Sequence, residues 1–217
     1  MRLESVNHRG LVLLGLLGAV ALLSGCPSFA QFQEADVLEK GESKFGVGIG
    51  ATSYSFDVGV DGDEDIETFT VPQLSVWGRY GLTEKLELHG HIWLPFGATL
   101  GGKYQLIGNR KQEGFALSVG GDVGYLTISS GDLETNILDI YIPIYTGYRF
   151  SEDFALYLTP KYDLRILSGS SSGTAHLFGG TVGTAIGKDV QFIMEASVLM
   201  DSDLGEPVVN GGIGLAF

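Results

Sequence analysis

The chain has 217 residues, 26 of them acidic and 13 basic, for a formal net charge of −13. So acidic a protein has no electrostatic case for binding nucleic acid or anionic lipid faces. Its single cysteine excludes an internal disulfide. Glycine is frequent at 33 residues and aromatics reach 11%, while charged residues are only 18%, below the roughly 25% of an ordinary domain. This composition suits sheet with tight side-chain layers.

The chain opens with Arg2 and Arg9 in a polar stretch, then an apolar run from Leu11 to Leu23, then Ser24-Gly25-Cys26. The run is shorter than the ~20 apolar residues a membrane-spanning helix needs and has the layout of an export signal. Leu23-Ser24-Gly25-Cys26 resembles the lipobox of bacterial lipoproteins. That resemblance implies cleavage after residue 25 and lipidation of Cys26 by a diacylglyceryl thioether and an N-acyl chain such as palmitate. It also implies the lipoprotein-sorting machinery as a partner. Losing Arg2, Arg9 and Glu4 leaves 11 basic and 25 acidic residues, a net charge of −14. Residues 26–42 are expected to be a lipidated tether with little persistent order. Within it Phe29 and Phe32 either dip into the periplasmic leaflet or stay disordered. Pro27 stands where an Asp would signal inner-membrane retention, which permits outer-membrane sorting.

From residue 43 onward, apolar and polar residues alternate with period two, the pattern of strands with two unlike faces. Ten strands are predicted, at 43–57, 73–80, 85–94, 99–107, 115–128, 137–150, 154–167, 176–186, 190–200 and 208–217. The first sets Phe45, Val47 and Ile49 against Gly46, Gly48 and Gly50; the third sets Leu86, Leu88, Ile92 and Leu94 against Glu87, His89, His91 and Trp93. The connections are expected to alternate in kind. Residues 58–68, 129–136, 168–175 and 202–207 read as polar loops, and 81–84, 151–153 and 187–189 as tight turns. Pro95 to Ala98 and Gly108 to Gly114 blur the contrast. Long loops on one side and short turns on the other are how outer-membrane barrels are built. An even strand number returns both termini to one side, which the lipid on Cys26 would make periplasmic. Phe45, Tyr80, Tyr104, Phe115, Tyr148, Phe150, Phe154, Phe192 and Phe217 fall near that rim, as an aromatic girdle would.

The last strand, ending in Phe217, looks like the signal read by the barrel-assembly machinery. The stretch Arg79-Tyr80-Gly81-Leu82-Thr83-Glu84-Lys85-Leu86-Glu87-Leu88, followed by Lys103-Tyr104-Gln105-Leu106, is similar to the strand-turn-strand pattern of small outer-membrane β-barrel proteins. The resemblance implies an all-β fold, a closed antiparallel up-and-down transmembrane barrel over residues 43–217, and no particular activity. A lipobox beside a membrane barrel departs from most such proteins. So do Pro143 and Pro160 inside predicted strands, where proline removes a ladder hydrogen bond.

With the apolar faces on lipid, Arg79, Lys85, Glu87, Lys103, Asp139, Arg149, Lys161, Asp163, Arg165 and Glu195 would meet inside as a mixed-sign network. A barrel of about ten strands is little wider than the eight-stranded kind its own side chains fill, so the network should close the lumen rather than conduct. Four constellations could carry chemistry. Glu87, His89 and His91 share one face and offer zinc ligands; polar filling of the lumen explains them equally. Asp61, Asp63 and Asp65 start like a calcium loop but lack its glycine and its last glutamate. His176, Asp201 and Asp203 lie near the rim that carries the catalytic residues of omptin proteases, without a matching motif. His176 with Ser170, Ser171 or Ser172 could serve a lipid-modifying barrel enzyme. No cofactor, metal or catalytic residue is expected. The leading expectation is a non-enzymatic, monomeric, lipid-anchored outer-membrane barrel serving envelope structure, surface interaction or restricted small-solute passage. The alternative is a soluble periplasmic lipoprotein barrel of lipocalin type, its apolar faces turned inward around a hydrophobic ligand.

Overall fold

Period-two alternation sends successive side chains to opposite faces, so strands that pair all the way round give a barrel with one face in and one out. The computed structural model describes residues 31–57, 66–94, 97–130, 133–170, 172–202 and 207–217. The leader, Cys26, Phe29, Asp61, Asp63, Asp65, Ser171 and Asp203 lie outside them. Ten strands follow one another: β1 Ser43–Asp57, β2 Ile66–Gly81, β3 Leu86–Leu94, β4 Gly97–Ile107, β5 Gly114–Ser130, β6 Leu133–Ser151, β7 Phe154–Gly169, β8 Gly173–Ile186, β9 Gln191–Asp201 and β10 Pro207–Ala216. Each pairs antiparallel with its sequence neighbours, and β1 closes the barrel on β10 from Gly46↔Ala216 to Tyr54↔Val208. Phe45 and Phe217 exchange backbone hydrogen bonds of 2.9 and 2.8 Å at the rim where β1 begins and β10 ends, called here the terminal rim.

The faces are sorted cleanly. Large apolar side chains stand exposed on the outside of every strand, among them Ile49, Val76, Ile92, Leu100, Val123, Ile142, Leu158, Val182, Met194 and Ile213. The expected rim aromatics Phe45, Tyr80, Tyr104, Phe115, Tyr148, Phe150, Phe154 and Phe217 are exposed among them. Inside, the buried residues are largely polar or aromatic. This overturns the lipocalin-type alternative, which needs the apolar rows to face the lumen.

The loop expectation is corrected. Residues read as distal loops continue the ladders: Ser130 pairs Leu133, Leu167 pairs Gly173, and Asp57 pairs Ile66. Their polarity marks where strands leave an apolar zone and not where the sheet ends. Hydroxyls and amides there bond across strands, as in Ser53–Thr70 (2.8 Å) and Thr127 Oγ1 to Asn136 Oδ1 (2.8 Å). Asymmetry therefore lies in strand length, from 9 residues in β3 to 19 in β6.

The prolines are taken up without a register shift. The β5–β6 ladder lapses between Val119↔Ile144 and Asp122↔Tyr141, across Pro143, and the β6–β7 ladder lapses between Pro143↔Lys161 and Thr146↔Leu158, beside Pro160. Register resumes unchanged, so the bulges that would have shifted it are not used. Among the described residues, the stretch of β2 that holds Pro72 pairs with β1, and β3 joins β2 from Leu74 onward.

Inward glycines make room for luminal rings. Trp77 lies over its cross-strand partner Gly46, Trp93 over Gly97 and Tyr157 over Gly183, and a Cβ on each glycine would stand 2.1–2.3 Å from the ring. Gly46→Ala is therefore expected to destabilise the folded barrel by about 1–3 kcal/mol in urea unfolding followed by tryptophan fluorescence. Gly121→Ala, where an added Cβ meets nothing within 4 Å, should stay within about 0.5 kcal/mol.

Candidate functional site

Inward-facing charges converge on a lumen too narrow to hydrate them all, and each must find a partner there. What pairs many of them is a segment outside the sheet. Residues 32–38 are all buried, inside the barrel, which overturns the expectation of a loosely ordered tether and of Phe32 in the leaflet. The expected tether extends from residue 26 to 42, and only its part from residue 31 onward is described. A polar segment facing unpaired luminal charges gains more from the lumen than from a lipid surface. Gly41, at φ +82°, makes the turn that joins it to β1, and its N–H donates to the Gly81 carbonyl at 2.7 Å.

Near the terminal rim the wall holds the segment by both backbone and side chains. Lys103 Nζ donates to the carbonyls of Glu34 (2.9 Å) and Asp36 (3.0 Å), Arg79 to the Asp36 carbonyl (3.0 Å), and Ser118 Oγ to that of Ala35 (2.6 Å). The amides of Val37 and Leu38 donate to Gln105 Oε1 (3.2 Å) and Glu87 Oε2 (2.8 Å). Arg149 pairs with the carboxylates of both Glu34 and Asp36, the latter at 2.8 Å. Glu87 is shared by Arg79 at 2.8 Å and Lys103 at 3.3 Å.

Higher up, Phe32 stacks on Trp77 with ring centroids 4.5 Å apart, and His91 stands edge-on to Phe32, Trp77 and Trp93. Gln31 reaches Asp122 with its side chain (2.9 Å) and Glu195 with its amide (2.8 Å); the Gln33 amide also donates to Glu195 (3.1 Å), as does the Tyr157 hydroxyl (2.8 Å). Towards the distal rim Arg165 pairs with Asp139 at 2.8 Å and approaches Asp163 at 3.8 Å. Of the charges expected inside, Lys85 alone is misplaced: it is exposed in the turn before β3.

The candidate chemistries come apart in this geometry. Glu87, His89 and His91 do share a face, yet Glu87 is taken by Arg79 and Lys103, His89 Nε2 lies 2.6 Å from Asp122 Oδ1, and His91 sits among rings. No group of three or more metal-ligating side chains converges among the described residues. His176 is on the outer face, its Nδ1 2.7 Å from the Tyr162 hydroxyl, whereas Asp201 alternates with exposed Met200 and shares the inward face of buried Leu199. Ser170 Oγ accepts the Glu134 amide at 3.0 Å. Among the described residues, neither the protease-like pair of His176 with Asp201 nor a pair of His176 with Ser170 is assembled.

Sequence reading missed the segment itself. One signal could have found it: near the terminal rim the wall brings Lys44, Arg79, Lys103 and Arg149 inward against Glu87 alone among the described residues. An excess of buried cations requires acid from elsewhere.

No protein-family model matches the chain, and no curated protein matches it. Solved structures do. The transport unit of the autotransporter AIDA-I from Escherichia coli is similar over 92% of this chain and 96% of that one, with a TM-score of 0.53 at 10% identity. The translocator domain of the autotransporter NalP from Neisseria meningitidis covers 97% of this chain and 95% of its own, at 0.44 and 9%. Ail, the attachment invasion locus protein of Yersinia pestis, covers 82% and 99%, at 0.36 and 15%. Identities this low speak to fold alone, and the fold is that of an outer-membrane β-barrel.

Arg149→Met would leave the Glu34 and Asp36 carboxylates without the guanidinium between them, a loss of about 3–5 kcal/mol for a broken buried pair. Protease should then cut within residues 31–42 while the strands stay protected. Adding Glu34→Gln and Asp36→Asn should restore protection, measured by limited proteolysis and mass spectrometry.

Proposed function

We propose that this chain is a non-enzymatic outer-membrane protein, lipid-anchored at Cys26, whose barrel is kept closed by its own N-terminal segment. Its role lies in envelope structure or surface interaction, or in restricted passage of small solutes, and not in open diffusion. The observation that carries this reading is the filled lumen: Gln31 to Leu38 bond to the inner wall at successive levels, from Glu87 near the terminal rim to Glu195 and Asp122 farther in.

The outer face supports the membrane part. Soluble monomers rarely expose contiguous apolar patches above a few hundred Å², whereas here large apolar side chains stand outside on all ten strands. A closed barrel also satisfies its backbone within the sheet, as lipid requires. Both ends of the barrel chain lie at one rim, which the proposal places at the periplasm. Barrel-assembly and lipoprotein-sorting machineries are the partners this biogenesis would need.

Two measurements test it. Purified protein in planar bilayers should show no steady conductance and should migrate on gels in a heat-modifiable way; stable open channels would contradict the closed lumen. Labelled palmitate should enter the wild type and not Cys26→Ala, and Cys26→Ala should still reach the outer membrane in heat-modifiable form. A Cys26→Ala protein found soluble in the periplasm would overturn the membrane-barrel reading.

A further inference from the structure

The segment inside the barrel is recognised in an unusual way. It forms no ladder with any strand among the described residues. Wall side chains read its backbone instead: Lys103, Arg79 and Ser118 take three successive carbonyls, and Gln105 and Glu87 take two amides. Such contacts are indifferent to which side chains the segment carries. Next to the terminal rim, selectivity for charge enters at Glu34 and Asp36, where Arg149 pairs with both and Gln105 Nε2 donates to Asp36 Oδ1 at 3.3 Å. The chain bends at Ala35 and Asp36, and one guanidinium grips both carboxylates across that bend.

The surroundings select for negative charge. Lys44, Arg79, Lys103 and Arg149 face this part of the lumen from β1, β2, β4 and β6, and Glu87 from β3 is the wall's one acid opposing them among the described residues. Without the segment that leaves a net charge near +3. The site also has a mouth. A cavity of about 770 Å³ opens at the terminal rim and reaches Arg149; its own lining is of mixed charge, with Arg110 paired to Glu42, Lys111 to Glu39 and Lys188 to Glu152, so the positive excess lies deeper, from Arg149 inward.

We propose that the half of the lumen next to the terminal rim is a binding site for an acidic peptide segment with carboxylates two residues apart, filled in this structure by the chain's own Glu34-Ala35-Asp36. This rests on the closed-barrel reading above and names the ligand class of its lumen. Tethered through Lys40-Gly41-Glu42 to β1, the internal occupant acts at an effective concentration in the millimolar range. A separate peptide therefore binds when the internal one is out.

The test uses the full chain folded in detergent, with heat-modifiable migration as the check on folding. E34R/D36R turns the segment's two acids against Arg149 and should expel it. The probe is a fluorescent synthetic peptide with the sequence of residues 31–40. It should bind E34R/D36R at least tenfold more tightly than it binds wild type. A peptide with glutamine and asparagine at the two acidic positions should lose that binding. Arg149→Glu, which leaves the segment unaltered, is the second variant; it should prefer by at least tenfold a peptide with arginine at both positions. Folded variants whose segment is open to protease yet bind both peptides equally, or bind neither, overturn the inference and leave the closed-barrel reading standing. Wild-type protein that is not heat-modifiable would instead overturn that reading.

Discussion

Buried charge must be paired, and in this barrel the wall cannot do it alone. Arg149 shows the constraint most plainly: its guanidinium is buried, no acid of β1 to β10 pairs with it among the described residues, and its partners are Glu34 and Asp36 of a segment outside the sheet. Lys103 and Arg79 have Glu87 between them and still spend donors on the segment's carbonyls. Removing a partner from such a network leaves an uncompensated ion in low dielectric, which is far costlier than never burying it. The segment is thus part of the barrel's electrostatics rather than an appendage to it.

Shape obeys the same logic as charge. The rings of Trp77, Trp93 and Tyr157 lie over the glycines opposite them, and Phe32 then stacks on Trp77. A chain segment and several large rings fit inside ten strands because their neighbours on the wall have no side chains there. Glycine abundance, which at first reads only as sheet-compatible composition, is the room in which the lumen is furnished.

Much of this was legible from residue order. Alternation is a local signal: Phe45, Val47 and Ile49 against Gly46, Gly48 and Gly50 specify which faces are unlike, and the ten strands lie close to where that pattern puts them. The inward residence of Glu87, His89 and His91 follows from parity alone. Polarity was a poor guide to strand ends, because Ser129, Ser130 and Asn136 are as content in a ladder beyond an apolar zone as in a loop. The destination of residues 31–38 was not legible from their own pattern, since Glu34 and Asp36 look equally at home in water. Only the surplus of Lys44, Arg79, Lys103 and Arg149 over Glu87 encodes it, and that surplus emerges once five separate strands are brought together. His176 and Asp201 stand on opposite faces for a related reason: nearness to a rim does not say which face a side chain takes.

The central claim is that residues 31–38 occupy the lumen of the folded protein. An ideal Cβ on Gly147 would stand 3.1 Å from the Ala35 Cβ, close to the separation of disulfide-linked residues, about 3.5–4.5 Å. Ala35→Cys with Gly147→Cys, in a Cys26→Ala background, should form a disulfide in the folded, heat-modifiable protein, seen as a linked peptide by mass spectrometry and as lost thiols after denaturation. Two free thiols that react with a water-soluble maleimide while the barrel is folded would contradict the account.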